Sequence, residues 1–166
     1  MQNFANTFFQ NPHWIRKDQL AIEKFADFSE DYLQKVRYNL QQAVSDKPVA
    51  TVILTTYNEE ANIVRCLDSI AGNKTIFPFE VVVVNNNSSD RTAEALDYLG
   101  QKYYDQPIQG SGPARQMGME KARGQYILLG DADCLYPETW IEKMVKTLTK
   151  NNTAVVYGRY SFMGSK

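Results

Sequence analysis

The chain has 166 residues, enough for one domain with a sizeable core and too few for two ordinary ones. With 43% apolar and 12% aromatic residues and a formal net charge of −1, it is not a disordered chain, and it has no global basic field to draw nucleic acid or an anionic membrane. Cys66 and Cys134 are far apart and form no CxxC pair, which argues against a disulfide framework or a zinc site and suits a reducing compartment.

No run approaches the ~18 consecutive apolar residues of a membrane span, and the start lacks a basic region followed by an apolar one. The expected location is therefore the cytoplasm. From Asp18 to Val44 the apolar residues Phe25, Phe28, Tyr32, Val36, Leu33 and Leu40 recur at helical spacing, predicting one long helix or two broken near Asp27 to Ser29. Residues 1–47 thus read as an N-terminal helical extension, suited either to packing on the core or to docking a second copy or a partner. "SDKP" (Ser45 to Pro48) ends it, because proline cannot continue a helix.

A different rhythm begins at Val49. "VATVILTTY" predicts a strand, and Asn58 a cap for a helix with apolar face Ile63, Val64, Leu67 and Ile70, ending at Gly72. "FEVVVVN" is a β-branched run of the kind covered on both faces. "SSDRTAEALDYLG" predicts a helix capped by serine and closed by Gly100, and "KYYDQ" a short third strand. "GPARQMGMEKARG" predicts a helix with Pro113 in its first turn. "QYILLG" predicts a further buried strand, "PETWIEKMVKTL" a helix, and "TAVVYGRYSF" a last strand. Strand and helix alternating in this way imply a mostly parallel sheet with helices on both faces. Ligands bind such sheets at the carboxyl ends of the strands, where "TTYNEE", "NNNSSD" and "GDAD" fall.

Each polar cluster has a chemical reading and a plainer one. Asp131 and Asp133 after an apolar strand suit an oxygen-loving divalent cation, Mn2+ or Mg2+, that also meets a phosphate; alternatively one caps a turn and the other is solvated. Around Tyr57, Glu59 and Glu60 no glycine-rich loop is present and acids occupy the turn, so this is not a phosphate cradle. An aromatic and a carboxylate there suit a nucleoside, while a glutamate at a helix start also simply complements the dipole. Asn85 and Asp90 can read base or ribose edges, or form a capped turn. Arg115 at a helix start can meet a phosphate or remain solvated. The single histidine, His13, excludes histidine triads, and Cys66 on an apolar helix face reads as packing.

Taken together, "VILTTYNEEANIVRCLDSI", "EVVVVNNNSSDRTAE" and "GPARQMGMEKARGQYILLGDADCLYPETW" resemble the inverting family 2 nucleotide-sugar glycosyltransferases of GT-A fold. The likeness runs from Val49 to about Leu148. It implies a GT-A, Rossmann-like domain over residues 48–166 and transfer of a sugar from a nucleoside diphosphate, UDP before GDP, to a glycan, lipid or protein hydroxyl. It also implies donor contacts from Thr55, Tyr57, Glu59, Asn85, Asp90, Arg115 and Asp131, with the metal at Asp133 and Asp131. A divalent ion so held would stabilise the leaving diphosphate.

This sequence departs from the family pattern in three places. Asn85 stands where the family usually has aspartate, and Gln116 follows Arg115 where the family commonly has asparagine. The family's general base is a carboxylate well downstream of the DxD, and neither Glu138 nor Glu142 matches it in a chain that runs to Lys166. The acceptor half is therefore expected to be missing, whether from a piece of a longer enzyme, membrane-peripheral if downstream segments attach it, or from a non-catalytic nucleotide-binding or interaction module. Aspartyl-nucleophile phosphatases also place DxD after a strand but want Thr or Val where Leu135 stands. Sugar nucleotidylyltransferases want a glycine-rich first loop, which "TTYNEE" is not.

Overall fold

The computed structural model describes residues 15, 20–151 and 154–158. A 3-10 turn at Phe25–Asp27 precedes α1, Glu30–Ala43, and the two are separated at Phe28 and Ser29. The break has a local cause: the Ser29 hydroxyl accepts from the Tyr32 N–H and caps α1, so Phe28 stays extended. The chain breaks near Asp27 to Ser29, as one of the two expected arrangements has it, but residues 21–24 before the break are not helical and only the 3-10 turn stands where a first helix was expected.

The sheet comprises β1 Ala50–Thr56, β2 Phe79–Asn85, β3 Tyr103–Asp105 and β4 Tyr126–Asp131, all parallel, in the order β3-β2-β1-β4. The helices are α2 Asn62–Ala71, α3 Thr92–Leu99, α4 Ser111–Lys121 and α5 Trp140–Asn151. Strand alternation sends Val52, Leu54, Val81, Val83 and Leu128 into the larger core, under α2, α3 and α5. Ile53, Val82 and Val84 point the other way, against Ala114 and Met117 of α4. Helices thus cover both faces, as the βαβ rhythm predicts, and β2 is buried along its whole length.

Residues from the N-terminal extension belong to this core. Phe25, Phe28, Leu33, Val36 and Leu40 are buried in it, and α1 packs against α2 and α3. The apolar stripe of α1 is therefore occupied within the chain.

Several details differ from the sequence expectations. Asn58 caps no helix: α2 starts four residues later, and Asn58 sits at φ +56 with its side chain directed to another loop. No serine caps α3; Asp90 Oδ1 accepts from the Thr92 N–H at 3.0 Å instead. Gly100 closes α3 in the left-handed conformation, as its position predicts. β4 is buried on one face only, with Ile127 and Leu129 37% and 49% exposed, because α4 lies over β1 and β2 and stops short of it. The last predicted strand falls largely outside the described residues, and its described part, 154–158, is irregular.

Close approach of α4 depends on Gly118, where a Cβ would lie 2.4 Å from Ile53 Cγ2. At the amino end of the sheet, the buried Glu80 carboxylate accepts from Thr51 Oγ1 (2.8 Å) and from the Arg123 N–H (2.7 Å) and Nε (2.8 Å). This network ties β1, β2 and the segment entering β4 together, away from the carboxyl rim.

Candidate functional site

Chain order reverses between β1 and β4, since β2 and β3 lie on one side of β1 and β4 on the other. A crevice opens at such a reversal in parallel sheets. Thr55 and Asp131 are register partners across it. Beside them a cleft of about 250 Å³ is lined by Thr55, Thr56, Tyr57, Asn86, Gly110 and Ser111. The Tyr57 side chain is 48% exposed, which leaves an aromatic surface at the cleft for a flat ring.

Asn86 shapes this cleft, and sequence reasoning singled out its neighbour Asn85 instead. The buried Asn86 amide donates to the carbonyls of Gln106 (3.0 Å) and Ile108 (2.8 Å) and accepts from the Gly110 N–H (2.7 Å). It thereby holds the loop that leads into α4. Gly110 adopts φ +139, a backbone state open to glycine. A signal was present: Val82 and Val84 face α4, so strand alternation carries Asn86 to that side and Asn85 to the other. Asn85 is buried, donates to Asp105 Oδ1 at 2.9 Å and accepts from the Ser88 N–H at 3.2 Å.

Asp90 is engaged in holding loops together. Its Oδ2 accepts from the Glu60 N–H at 3.1 Å, while Oδ1 takes the Thr92 N–H and hydroxyl. Asn58 completes the same joint: its Oδ1 accepts from the Ser89 N–H at 2.7 Å, and its own N–H donates to the Ser88 hydroxyl at 3.0 Å. Loops after β1 and β2 are thus laced to each other by side chain to backbone bonds.

Glu59 accepts from Asn62 Nδ2 at 2.6 Å. Burial raises its carboxyl above the usual carboxylate value, and the charges of Asp133 and Asp90 add to the rise. Arg115 Nη2 meets Asp131 Oδ1 at 3.0 Å, which brings α4 to the end of β4. Asp133 stands in the turn beyond, with the Cys134 thiol 3.6 Å from its Oδ1. Burial, with Asp133 alongside, pushes that thiol up to about 11, and burial likewise raises the Cys66 thiol.

Asp131 and Asp133 offer hard oxygen donors of the kind Mg2+ and Mn2+ prefer. Among the described residues no group of three or more His, Cys, Asp or Glu side chains forms a cation cage. Glu138 and Glu142 lie elsewhere: Glu138 pairs with Lys74 at 2.7 Å, and Glu142 accepts from Thr75 and the Ile76 N–H. A second groove of about 450 Å³, between α1 and the loop entering β2, has no charged side chain in its lining. No described helix is long and apolar enough to cross a membrane.

A model for glycosyl transferase family 2 matches residues 51–165. The chain belongs to this family. It is 32% identical over 127 residues to the glycosyltransferase AglE of Haloferax volcanii, covering 71% of this chain and 41% of that protein. To the dolichyl-phosphate beta-glucosyltransferase ALG5D of Trichomonas vaginalis it is 34% identical over 136 residues, covering 70% and 42%. Among solved structures, TarS 1–349 of S. aureus in complex with UDP superimposes with a TM-score of 0.53 at 28% identity, over 62% of this chain and 32% of that one. The mannosyltransferase PcManGT of Pyrobaculum calidifontis, in complex with GDP-Man and Mn2+, gives 0.56 at 25% identity, over 71% and 40%. The GT-A fold expected from the sequence is thereby established. This chain spans less than half the length of the curated relatives named here.

Proposed function

We propose that this chain is the donor-binding portion of a sugar transferase that uses a nucleoside-diphosphate sugar. The observation that supports the reading is the register of Thr55, which lines the cleft beside Tyr57, with Asp131, the first aspartate of the DxD. The nucleoside would lie in the cleft against Tyr57, with Thr55 beneath it and the Asn86-held loop as a wall. Arg115 would meet the diphosphate, and Asp133 with Asp131 would hold Mn2+ or Mg2+. When bound, that cation supplies Lewis-acid stabilisation of the charge left on the diphosphate. Solved structures in complex with UDP and with GDP-Man and Mn2+ support donors of both kinds.

Transfer would break the bond from the sugar's anomeric carbon to the diphosphate oxygen while an acceptor hydroxyl attacks from the opposite side. That hydroxyl, on a glycan, lipid or protein, needs a base to take its proton. Glu138 and Glu142 are held at the Lys74 to Ile76 loop. A second reading is a nucleotide-binding or interaction module that does not transfer sugar. Donor hydrolysis or sugar transfer by the isolated chain distinguishes the two.

Calorimetric titration of UDP and GDP, with and without Mn2+, tests the shared part of both readings. The expected result is nucleotide binding strengthened by Mn2+ in the native chain and no longer strengthened in Asp133→Asn. No binding of either nucleotide under any condition would overturn the donor site.

A further inference from the structure

At the start of the turn carrying the two aspartates, a phenol meets the backbone of Asp131. The Asp131 N–H donates to Tyr136 Oη at 2.9 Å, and Tyr136 Oη lies 3.2 Å from the Asp131 carbonyl, to which it donates. One hydroxyl therefore grips both backbone polar groups of one residue. The same carbonyl also receives the Cys134 N–H at 3.2 Å and faces the Cys66 thiol at 3.8 Å.

Tyr136 is itself well fixed. It is 8% exposed, its N–H donates to Ser69 Oγ of α2 at 3.1 Å, and its ring packs on Trp140 with centroids 4.3 Å apart. The hydroxyl reaches Asp131 only because residue 130 has no side chain. A Cβ on Gly130 would lie 2.5 Å from Tyr136 Oη and 3.0 Å from Leu54 Cδ2. A phenylalanine would fill the same apolar space, so packing alone does not call for the oxygen.

We infer that Tyr136 is a positioning residue, which fixes the backbone of Asp131 so that the Asp131 and Asp133 carboxylates are set for the cation before it arrives. The inference rests on the donor-site reading above. Groups that orient metal ligands without touching the metal typically alter metal affinity ten- to a hundredfold when removed. Preorganisation of this kind acts on the metal-linked part of binding and leaves the nucleoside cleft untouched.

The experiment compares the native chain, Tyr136→Phe and Thr51→Val. The last loses a buried hydroxyl of similar bonding at the amino end of the sheet and controls for lost stability. The readouts are UDP affinity with and without Mn2+, bound Mn2+ measured by electron paramagnetic resonance in the presence of UDP, and thermal unfolding. Tyr136→Phe is expected to reduce the gain in UDP affinity due to Mn2+ about tenfold. Its metal-free UDP affinity should stay unchanged, and Thr51→Val should retain the full gain. A Tyr136→Phe variant that unfolds earlier yet keeps the native gain overturns the positioning role alone. A native chain that binds no UDP overturns the donor-site reading, whereas one that binds UDP with no Mn2+-dependent gain overturns the cation at the two aspartates, and this inference with it.

Discussion

Arg115 Nη2 lies 3.0 Å from Asp131 Oδ1, so the first turns of α4 and the last residue of β4 meet through opposite charges. The pair sits on a rim that also bears Glu59, whose carboxyl is raised by burial and further by the charge of Asp133. In the proposed donor site a diphosphate would add negative charge there, and the Arg115 guanidinium would offset it.

Arg115→Gln is expected to weaken UDP binding about tenfold and to make it less sensitive to salt, since a charge contact is lost. Both partners are 42% exposed, so the cost in folding stability should be within about 1 kcal/mol. UDP titrations at two ionic strengths with a thermal melt check both. Unchanged affinity would show that Arg115 does not face the phosphates.

Asn86→Asp replaces a group that donates to two carbonyls with one that only accepts. The loop of residues 106–110 should detach, at a cost of about 2 kcal/mol in urea unfolding. UDP and GDP binding should weaken together, because the cleft wall moves for either base. Selective loss of one nucleotide would instead mean that residue 86 reads the base directly.

Because burial raises the Glu59 carboxyl above its ordinary 4.5, the folded chain holds this proton more tightly than the unfolded chain does. The resulting stability is fully present below about 4.5 and is lost as pH rises through the elevated folded value. Glu59→Gln should therefore exceed the native chain in stability at pH 7 and approach it at pH 4. Urea unfolding at both pH values tests this, and an equal difference at both would assign the effect to packing.

Much of the fold is legible in the residues because the signals are local. The β-branched run at Phe79–Asn85 and the apolar periodicity of α2 each require burial, whatever surrounds them. Clustering of polar residues at strand ends was legible too, since parallel topology forces it. Roles of individual polar residues were not. Asn58 looks like a helix cap in sequence, and what redirects it is the adjacency of two loops some thirty residues apart; Asp90 meets the start of α3 where a serine was expected and reaches Glu60 across the same gap. Asn85 and Asn86 differ only in the face to which the strand carries them. Tyr136 gave no signal, as its task depends on the notch at Gly130.

The lacing of Asn58 to Ser88, Ser89 and Asp90 constrains how donor preference can change. A substitution that reshapes the loop after β1 drags the loop after β2 with it, through bonds that join the Asn58 and Ser88 side chains to the backbone of the facing loop. Altering the preferred nucleotide by single replacements at Tyr57 should therefore meet resistance from the neighbouring segment. Libraries that vary residues 57–60 and 86–90 jointly, or transplant both as one cassette, sample the combinations that this coupling allows.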